Sequence, residues 1–220
     1  MGKKSSSEKL VIAAASAGAA VGAAYLAVGN AIFNKTMSKK SIAKKMDEKK
    51  NEYDGITKEG MEWFDSASPA KVKIVTPRGG YGHGEIILAD EPSDVWVIVI
   101  HGYTGSPRRM GSFGKKFHEM GYNCLFPYLC GHGASESNYA TMGWNDRIDI
   151  KAWIDYIINE NANAKIVLFC LSMGAATVMM TTGEPLESNV VCAIEDCGYT
   201  SVWDECRANM KDAYGLPTFP

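Results

Sequence analysis

The segment KIVLFCLSMGAATVMM, residues 165–180, decides the fold of this chain. Its apolar, β-branched beginning predicts a buried strand, and the run of small residues and methionines after Ser172 predicts a helix. A nucleophilic serine at such a sharp strand–helix turn needs small neighbours two positions before and after it. Gly174 meets this need, and Cys170 stands where the usual pattern has glycine. Two interpretations stay open: Ser172 is a catalytic nucleophile, or it only caps the helix N-terminus.

The same alternation of strand and helix extends over the chain from residue 71 to residue 215. The predicted strands are KVKIVTP, GEIILAD, VWVIVIHG, YNCLFPYL and VVCAIEDCG, with helices after most of them. This order predicts an α/β domain with a mostly parallel sheet flanked by helices. The continuous apolar run VWVIVI is typical of a strand that is buried on both faces. In such sheets ligands bind at the carboxyl ends of the strands.

Two loops follow predicted strands at that edge of the sheet. HGYTGS, residues 101–106, can present a backbone N–H to a developing oxyanion. We expect the N–H groups of Tyr103 and Met173 to form this oxyanion hole, and we expect His101 to order the loop. CGHGASES, residues 130–137, follows the next strand. Cys130 and His132 alone, without a carboxylate motif, fall short of a metal site, and we expect neither a metal nor an organic cofactor.

Four motifs in this order resemble the α/β-hydrolase family: HGYTG at 101–105, GHGAS at 131–135, LSMG at 171–174 and EDCGY at 195–199. The likeness is to a membrane-anchored bacterial branch that is similar to serine aminopeptidases (S33) and monoacylglycerol lipases. It covers residues 60–220. The resemblance implies a Ser–acid–His triad and the hydrolysis of a carboxylic ester, thioester or amide of a small-molecule or peptide acyl substrate.

The position of the histidine departs from the family pattern, in which the order along the chain is serine, acid, histidine. The four histidines, His83, His101, His118 and His132, all precede Ser172. We therefore expect the histidine, and the usual acid, beyond residue 220, with the last two strands of the family's sheet missing from this sequence. Asp196, at a strand end, is a second candidate for the acid. We expect the 220 residues alone to be inactive unless His101 or His132 forms a rearranged triad.

The N-terminal segment from Leu10 to Phe33 contains no charged residue. About 20 apolar residues suffice to cross a bilayer as a helix. We expect residues 1–34 to be a single-pass membrane anchor, with a cleaved signal peptide as the alternative. Residues 35–66 are predicted as a lysine-rich helical linker, and residues 67–220 as a partial α/β-hydrolase domain. The excess of lysines after the apolar segment favours a cytoplasmic location of that domain.

The overall composition is that of a globular protein, with 46% hydrophobic and 22% charged residues. A net charge of -2 gives no indication of a nucleic-acid partner. Cys124, Cys170 and Cys192 lie in apolar runs and are expected to be buried. Two functions remain: a serine hydrolase, or a non-catalytic, membrane-tethered α/β-hydrolase-like protein that binds a ligand without turnover.

Overall fold

The computed structural model describes residues 6–48 and 53–214 of the 220. Seven α-helices are present in these ranges: α1 (Ser6–Met37), α2 (Lys39–Glu48), α3 (Gly55–Ser66), α4 (Gly111–Glu119), α5 (Asp146–Glu160), α6 (Met173–Thr182) and α7 (Val202–Tyr214). A short 3-10 helix, Pro107–Met110, precedes α4.

The described residues form one mixed sheet of six strands. The strands are β1 (Ala70–Val75), β2 (Tyr81–Ile87), β3 (Val95–Ile100), β4 (Asn123–Pro127), β5 (Lys165–Leu171) and β6 (Val190–Asp196). Their order across the sheet is β1-β2-β4-β3-β5-β6. β2 is antiparallel to both of its neighbours, whereas β4, β3, β5 and β6 run parallel. The α/β fold with a mostly parallel sheet is therefore confirmed, and β6 lies at its edge.

The central strand β3 is buried on both faces, as its apolar sequence predicts. Ile98 and Ile100 pack in one core with Trp153 and Ile154 of α5. The alternate residues of β3 pack in a second core against α3 and α4, which includes Phe64. This two-sided burial follows from the strand period of two, because successive side chains point to opposite faces. The two cores hold the carboxyl ends of β3, β4 and β5 in fixed register.

The edge strand β6 differs from the prediction in one respect, because Cys192 is exposed rather than buried. Val191 and Ile194 on the same strand are also exposed, at 58% and 43%. Among the described residues β6 pairs only with β5, so no further strand covers its outer side. An apolar run on an edge strand does not bury its residues unless another element packs on it.

The apolar segment of the long helix α1 is not buried against the described part of the domain. Its segment Ala15–Met37 is long and apolar enough to cross a membrane, a property that signal sequences near an N-terminus share. The helix α2 lies within the predicted linker, and its Ile42 is fully buried. At the junction of the two helices, the carbonyl of Met37 accepts a 2.8 Å hydrogen bond from the N–H of Ala140. The end of α1 is thereby attached to the loop that follows β4.

Candidate active site

Ser172 lies alone between the last residue of β5 and the first residue of α6. Its backbone has φ 55° and ψ −115°, a conformation that L-residues rarely adopt. Although Ser172 occupies the N-cap position of α6, its side chain makes no capping hydrogen bond. A serine that served only as a cap would accept a hydrogen bond from the first helical turn. The strained turn therefore presents the hydroxyl at the carboxyl edge of the sheet.

Two glycines make room for this turn. A Cβ at position 174 would stand 2.7 Å from the carbonyl oxygen of Ile100 and 2.8 Å from that of His101. A Cβ at position 102 would stand 3.1 Å from the Cβ of Ser172. Only glycine lets the backbone approach this closely at either position. The close approach also brings the loop 101–106 against Ser172.

Cys170, two residues before Ser172, is accommodated without a glycine. Its side chain is fully buried, and its thiol lies 3.2 Å from the carbonyl oxygen of Ile194 on β6. Burial, together with the nearby carboxylates of Glu195 and Asp196, raises the pKa of this thiol to about 12. The thiol therefore stays protonated and packs as a small hydrophobic group.

The loop after β3 forms a tight turn in front of Ser172. The N–H of Gly105 donates a 2.9 Å hydrogen bond to the carbonyl of Gly102, so that Tyr103 and Thr104 occupy the centre of the turn. Met173 is the first residue of α6, and N–H groups of a first helical turn have no partner within the helix. Tyr103 and Met173, the two residues predicted to form the oxyanion hole, line the same cavity as Ser172.

The two buried histidines connect the loops rather than face Ser172. His101 has one ring nitrogen 2.8 Å from the carbonyl of Gly102, and its other ring nitrogen accepts from the N–H of Leu129 at 3.2 Å. His132 has Nδ1 2.9 Å from the carbonyl of Cys130, and its Nε2 accepts from the N–H of Thr104 at 3.1 Å. In each ring, therefore, one nitrogen donates and the other accepts, which requires the neutral form.

The protonation of both rings follows from burial. Burial lowers the pKa of His101 to about 3, helped by the neighbouring His132. Burial also lowers the pKa of His132. A base with both ring nitrogens occupied cannot take a proton from Ser172 without giving up a loop hydrogen bond. The geometry thus assigns both histidines to loop structure and does not favour the rearranged triad.

Asp196 contacts Ser172 through a backbone hydrogen bond. Its carbonyl accepts a 2.8 Å hydrogen bond from the N–H of Ser172, which fixes the end of β6 against the turn. The residue itself is exposed. Sequence reasoning offered Asp196 as a candidate acid, and among the described residues no histidine forms a hydrogen bond or ion pair with its carboxylate.

A cavity of about 350 Å³ opens over Ser172. The two oxyanion-hole candidates and Tyr199 line the cavity, together with Met37 and Lys45 of the N-terminal helices. A larger cavity of about 620 Å³ lies at the amino ends of β3 and β4, beside residues 88–94. We place the site in the smaller cavity, because α/β sheets bind ligands at the carboxyl ends of their strands. Within the described residues no cluster of three or more metal-ligating side chains occurs.

Comparison with known proteins agrees with this fold. A family model described as serine aminopeptidase, S33, matches residues 91–194, just under half of the chain. The esterase Pf2001 of Pyrococcus furiosus is 28% identical and superposes with a TM-score of 0.60 over 70% of this chain. The chain therefore has the α/β-hydrolase fold and resembles esterases of that superfamily. The recognition of that fold from four short motifs is confirmed.

Two further similar proteins extend the comparison. The uncharacterized protein YqkD of Bacillus subtilis is 25% identical over 178 residues, 78% of this chain. A thermostable carboxyl esterase from Bacillus coagulans, 16% identical with a TM-score of 0.52 over 66% of this chain and 49% of its own, shares the fold. The present chain spans 58% of YqkD and 60% of the Pyrococcus esterase, less than two thirds of either.

Sequence reasoning missed a buried carboxylate behind the loop that follows β4, and a lysine that lines the cavity. Asp146 is fully buried and accepts hydrogen bonds from the N–H of Cys130 at 2.6 Å and the hydroxyl of Thr141 at 2.7 Å. An acidic residue at the first turn of a helix is ordinary, so nothing local marked Asp146 as buried. Lys45, in the predicted linker, reaches the cavity over Ser172. Its position depends on contacts between distant segments, which no local pattern indicates.

Proposed function

We propose that this chain carries the nucleophile and oxyanion hole of a serine hydrolase that cleaves a carboxylic ester, thioester or amide. The observation that carries the proposal is the backbone of Ser172, held at φ 55° with no capping hydrogen bond by its side chain. Strained, non-glycine backbone of this kind persists where the surrounding structure over-determines it, and it concentrates at functional sites. The likeness to esterases supports the reaction class.

In the proposed mechanism the Oγ of Ser172 attacks the carbonyl carbon of the substrate. The backbone N–H groups of Tyr103 and Met173 donate hydrogen bonds to the oxygen that becomes negatively charged. The N-terminus of α6 beneath Ser172 favours the same negative charge. Collapse of the tetrahedral intermediate expels the alcohol, thiol or amine and leaves an acyl group on Ser172, which water then hydrolyses. Neither step requires a metal.

The general base has to come from elsewhere. His101 and His132 are neutral, buried and occupied by loop hydrogen bonds. The proposal therefore takes the histidine from a segment outside the 220 residues, and the acid either from there or from Asp196. Loss of one triad member leaves about 10³–10⁴-fold catalysis over water from the oxyanion hole and binding. The isolated chain would show at most this residual activity.

We place the protein at the membrane through α1, with the domain on the cytoplasmic side. The span Ala15–Met37 supplies the length, and the lysines after it supply the orientation. Alkaline carbonate should leave the protein in the membrane fraction, and protease added outside intact cells should spare the domain. Release by carbonate would contradict the anchor, and digestion in intact cells would contradict the orientation.

A fluorophosphonate probe tests the hydrolase. In protein isolated from cells that express the complete gene, we expect covalent labelling of Ser172, identified by peptide mass spectrometry. Ser172→Ala should abolish the labelling, whereas Ser66→Ala, at an exposed serine of α3, should leave it unchanged. Absence of labelling in correctly folded protein would favour the alternative, an α/β-hydrolase-like binding protein without catalysis.

A further inference from the structure

The junction of α1 and α2 is bound to the catalytic side of the domain through the backbone. The N–H of Lys39 donates a 2.8 Å hydrogen bond to the carbonyl of Asn138, next to the bond between Ala140 and Met37. The ammonium of Lys39 donates to the carbonyl of Ser135 at 2.5 Å. One turn later Ile42 is fully buried. These contacts fix α2 as one wall of the cavity over Ser172.

Lys45 extends from this wall towards the loop that carries the oxyanion hole. Its ammonium donates a 3.2 Å hydrogen bond to the hydroxyl of Tyr103 and lies 5.3 Å from the centre of that ring. The hydroxyl of Tyr103 in turn donates to the carbonyl of Thr36. The ammonium of a lysine has three N–H donors, and Tyr103 takes one of them. The remaining donors can bind a ligand in the cavity.

The charges around the cavity favour an anion at Lys45. Of the described residues that line the cavity, Lys45 is the one cation, and Glu205 is the one acid. The carboxylate of Glu205 accepts a 2.9 Å hydrogen bond from Asn209 on the same helix. Lys44 pairs with Glu48 at 3.7 Å, whereas no carboxylate in the described ranges lies within 4.0 Å of the Lys45 ammonium. A half-buried ammonium without a carboxylate partner is electrostatically complementary to an anionic group.

We propose that Lys45 is a specificity-determining residue that binds an anionic group of the ligand in the Ser172 cavity. The ligand is an acyl compound with a carboxylate or phosphate group on its acyl or leaving-group side. That this ligand is a substrate rests on the proposed function, whereas the anion subsite itself does not. The anionic group can belong to a soluble molecule or to a lipid headgroup, because α1 ends at the same cavity.

Three anilides, which resist hydrolysis, test the subsite in the 220-residue chain held in non-ionic detergent. Butyranilide is neutral, succinanilic acid carries a carboxylate on the acyl side, and 4-butyramidobenzoic acid carries one on the other side. We expect one of the two acids to bind about tenfold more tightly than butyranilide, as measured by ligand-observed NMR titration, since charge-assisted hydrogen bonds are the stronger ones. Lys45→Met should remove this preference and leave the Kd of butyranilide within about twofold.

Two further variants separate charge from structure. Lys45→Arg should restore the preference for the acid, and Lys44→Met, which removes a neighbouring exposed charge, should not alter it. Equal affinity of wild-type protein for all three anilides would overturn the proposal. If Lys45→Met weakened the binding of all three anilides equally, the proposal would also be overturned. Lys45 would then support the cavity through Tyr103 without binding the anionic group.

The source of the anion is distinguished by repeating the titration in micelles that contain phosphatidylglycerol. Competition by this lipid in wild-type protein, but not in Lys45→Met, identifies a lipid headgroup as the ligand of the subsite. Unchanged affinity for the preferred acid identifies a soluble anion. Fluorophosphonate labelling reports on Ser172 independently, so failure of the hydrolase proposal and failure of the subsite give different results.

Discussion

The backbone of Gly102 lies directly against the side chain of Ser172. A Cβ at position 102 would stand 3.0 Å from the carbonyl oxygen of Leu171 and 3.1 Å from the Cβ of Ser172. The turn that presents Ser172 and the loop that would hold the oxyanion are therefore packed into one unit. A side chain at position 102 must displace one of them.

Gly102→Ala should disturb this unit. We expect a loss of about 1–3 kcal/mol in the free energy of unfolding, the usual cost of overpacking. In the complete protein we expect fluorophosphonate labelling of Ser172 to slow by tenfold or more, since displacements of about 1 Å can cost 10²-fold in rate. Gly55→Ala is the matched control, because a Cβ there meets no atom within 4 Å. Equal labelling rates in both variants would contradict the close packing.

The buried His101 should make the fold sensitive to acid. Its pKa falls from 6.5 to about 3 on burial, so the folded state keeps the ring neutral while the unfolded chain takes up a proton. The contribution of His101 to the free energy of unfolding is fully present above pH 6.5 and is lost as the pH falls towards 3. We expect a loss of roughly 2 kcal/mol between pH 6.5 and pH 5 from this one residue.

Urea titrations at a series of pH values measure this dependence. His101→Asn should flatten the slope between pH 6.5 and pH 5, even though the variant is less stable at every pH. His118→Asn is the control, because His118 lies on α4, away from both loops. The same slope in His101→Asn and wild-type protein would show that His101 is not the responsible group.

Local patterns were sufficient to predict the strands and the loops at their ends. The predicted strand KIVLFC corresponds to β5, Lys165–Leu171, and the strand before His101 corresponds to β3, Val95–Ile100. These segments are recognisable because burial on both faces requires a continuous apolar run, and a sharp turn requires small residues. Once the strands are parallel, their carboxyl ends meet at one edge, so Ser172 and the loop 101–106 are neighbours by topology.

The contacts between distant segments could not be predicted in this way. The bond between Lys39 and Asn138 joins two backbones, and backbone groups carry no sequence signature. The lysines of α2 are typical of a solvated helix face, and only the folded structure shows that Lys45 reaches the cavity. The prediction that Cys192 is buried was wrong for the same reason. The burial of this residue depends on what covers β6 and not on its own apolar neighbours.

Asp146 should contribute strongly to stability. Its carboxylate also accepts from the N–H of Gly143 at 3.1 Å, so three donors depend on it. Asp146→Asn turns one acceptor into a donor and leaves buried N–H or O–H groups without a partner, at about 1–3 kcal/mol each. We expect a loss of about 3 kcal/mol in urea unfolding. Asp155→Asn, an exposed position on the same helix, should cost less than about 0.5 kcal/mol.

The cysteines should divide into two classes of reactivity. Burial raises the pKa of Cys124, Cys130 and Cys170 to about 12 each, whereas Cys192 and Cys197 are exposed. Because the thiolate is the reactive form, iodoacetamide at about pH 8 should alkylate the exposed pair first. Peptide mass spectrometry after short exposure measures the order. Alkylation of Cys170 in folded protein at the rate of Cys192 would contradict its burial beside Ser172.

Tyr103 should hold the end of α1 on the domain. Its hydroxyl donates to the carbonyl of Thr36 and accepts from Lys45, so Tyr103→Phe removes both hydrogen bonds. Each hydrogen bond contributes a net stabilisation of about 0.5–1.5 kcal/mol. Loss of both should therefore make the open form of the α1–α2 junction roughly tenfold more populated than in wild-type protein. Brief trypsin treatment should then cleave after Lys39 or Lys40 about tenfold faster than in wild-type protein, because cleavage follows the population of the open form.

The control variant is Tyr156→Phe, on α5, where the ring of Tyr156 packs against Trp153. Trypsin should cleave this variant at the wild-type rate. If both variants are cleaved equally, the junction is held by its backbone bonds to residues 138–140 and not by Tyr103.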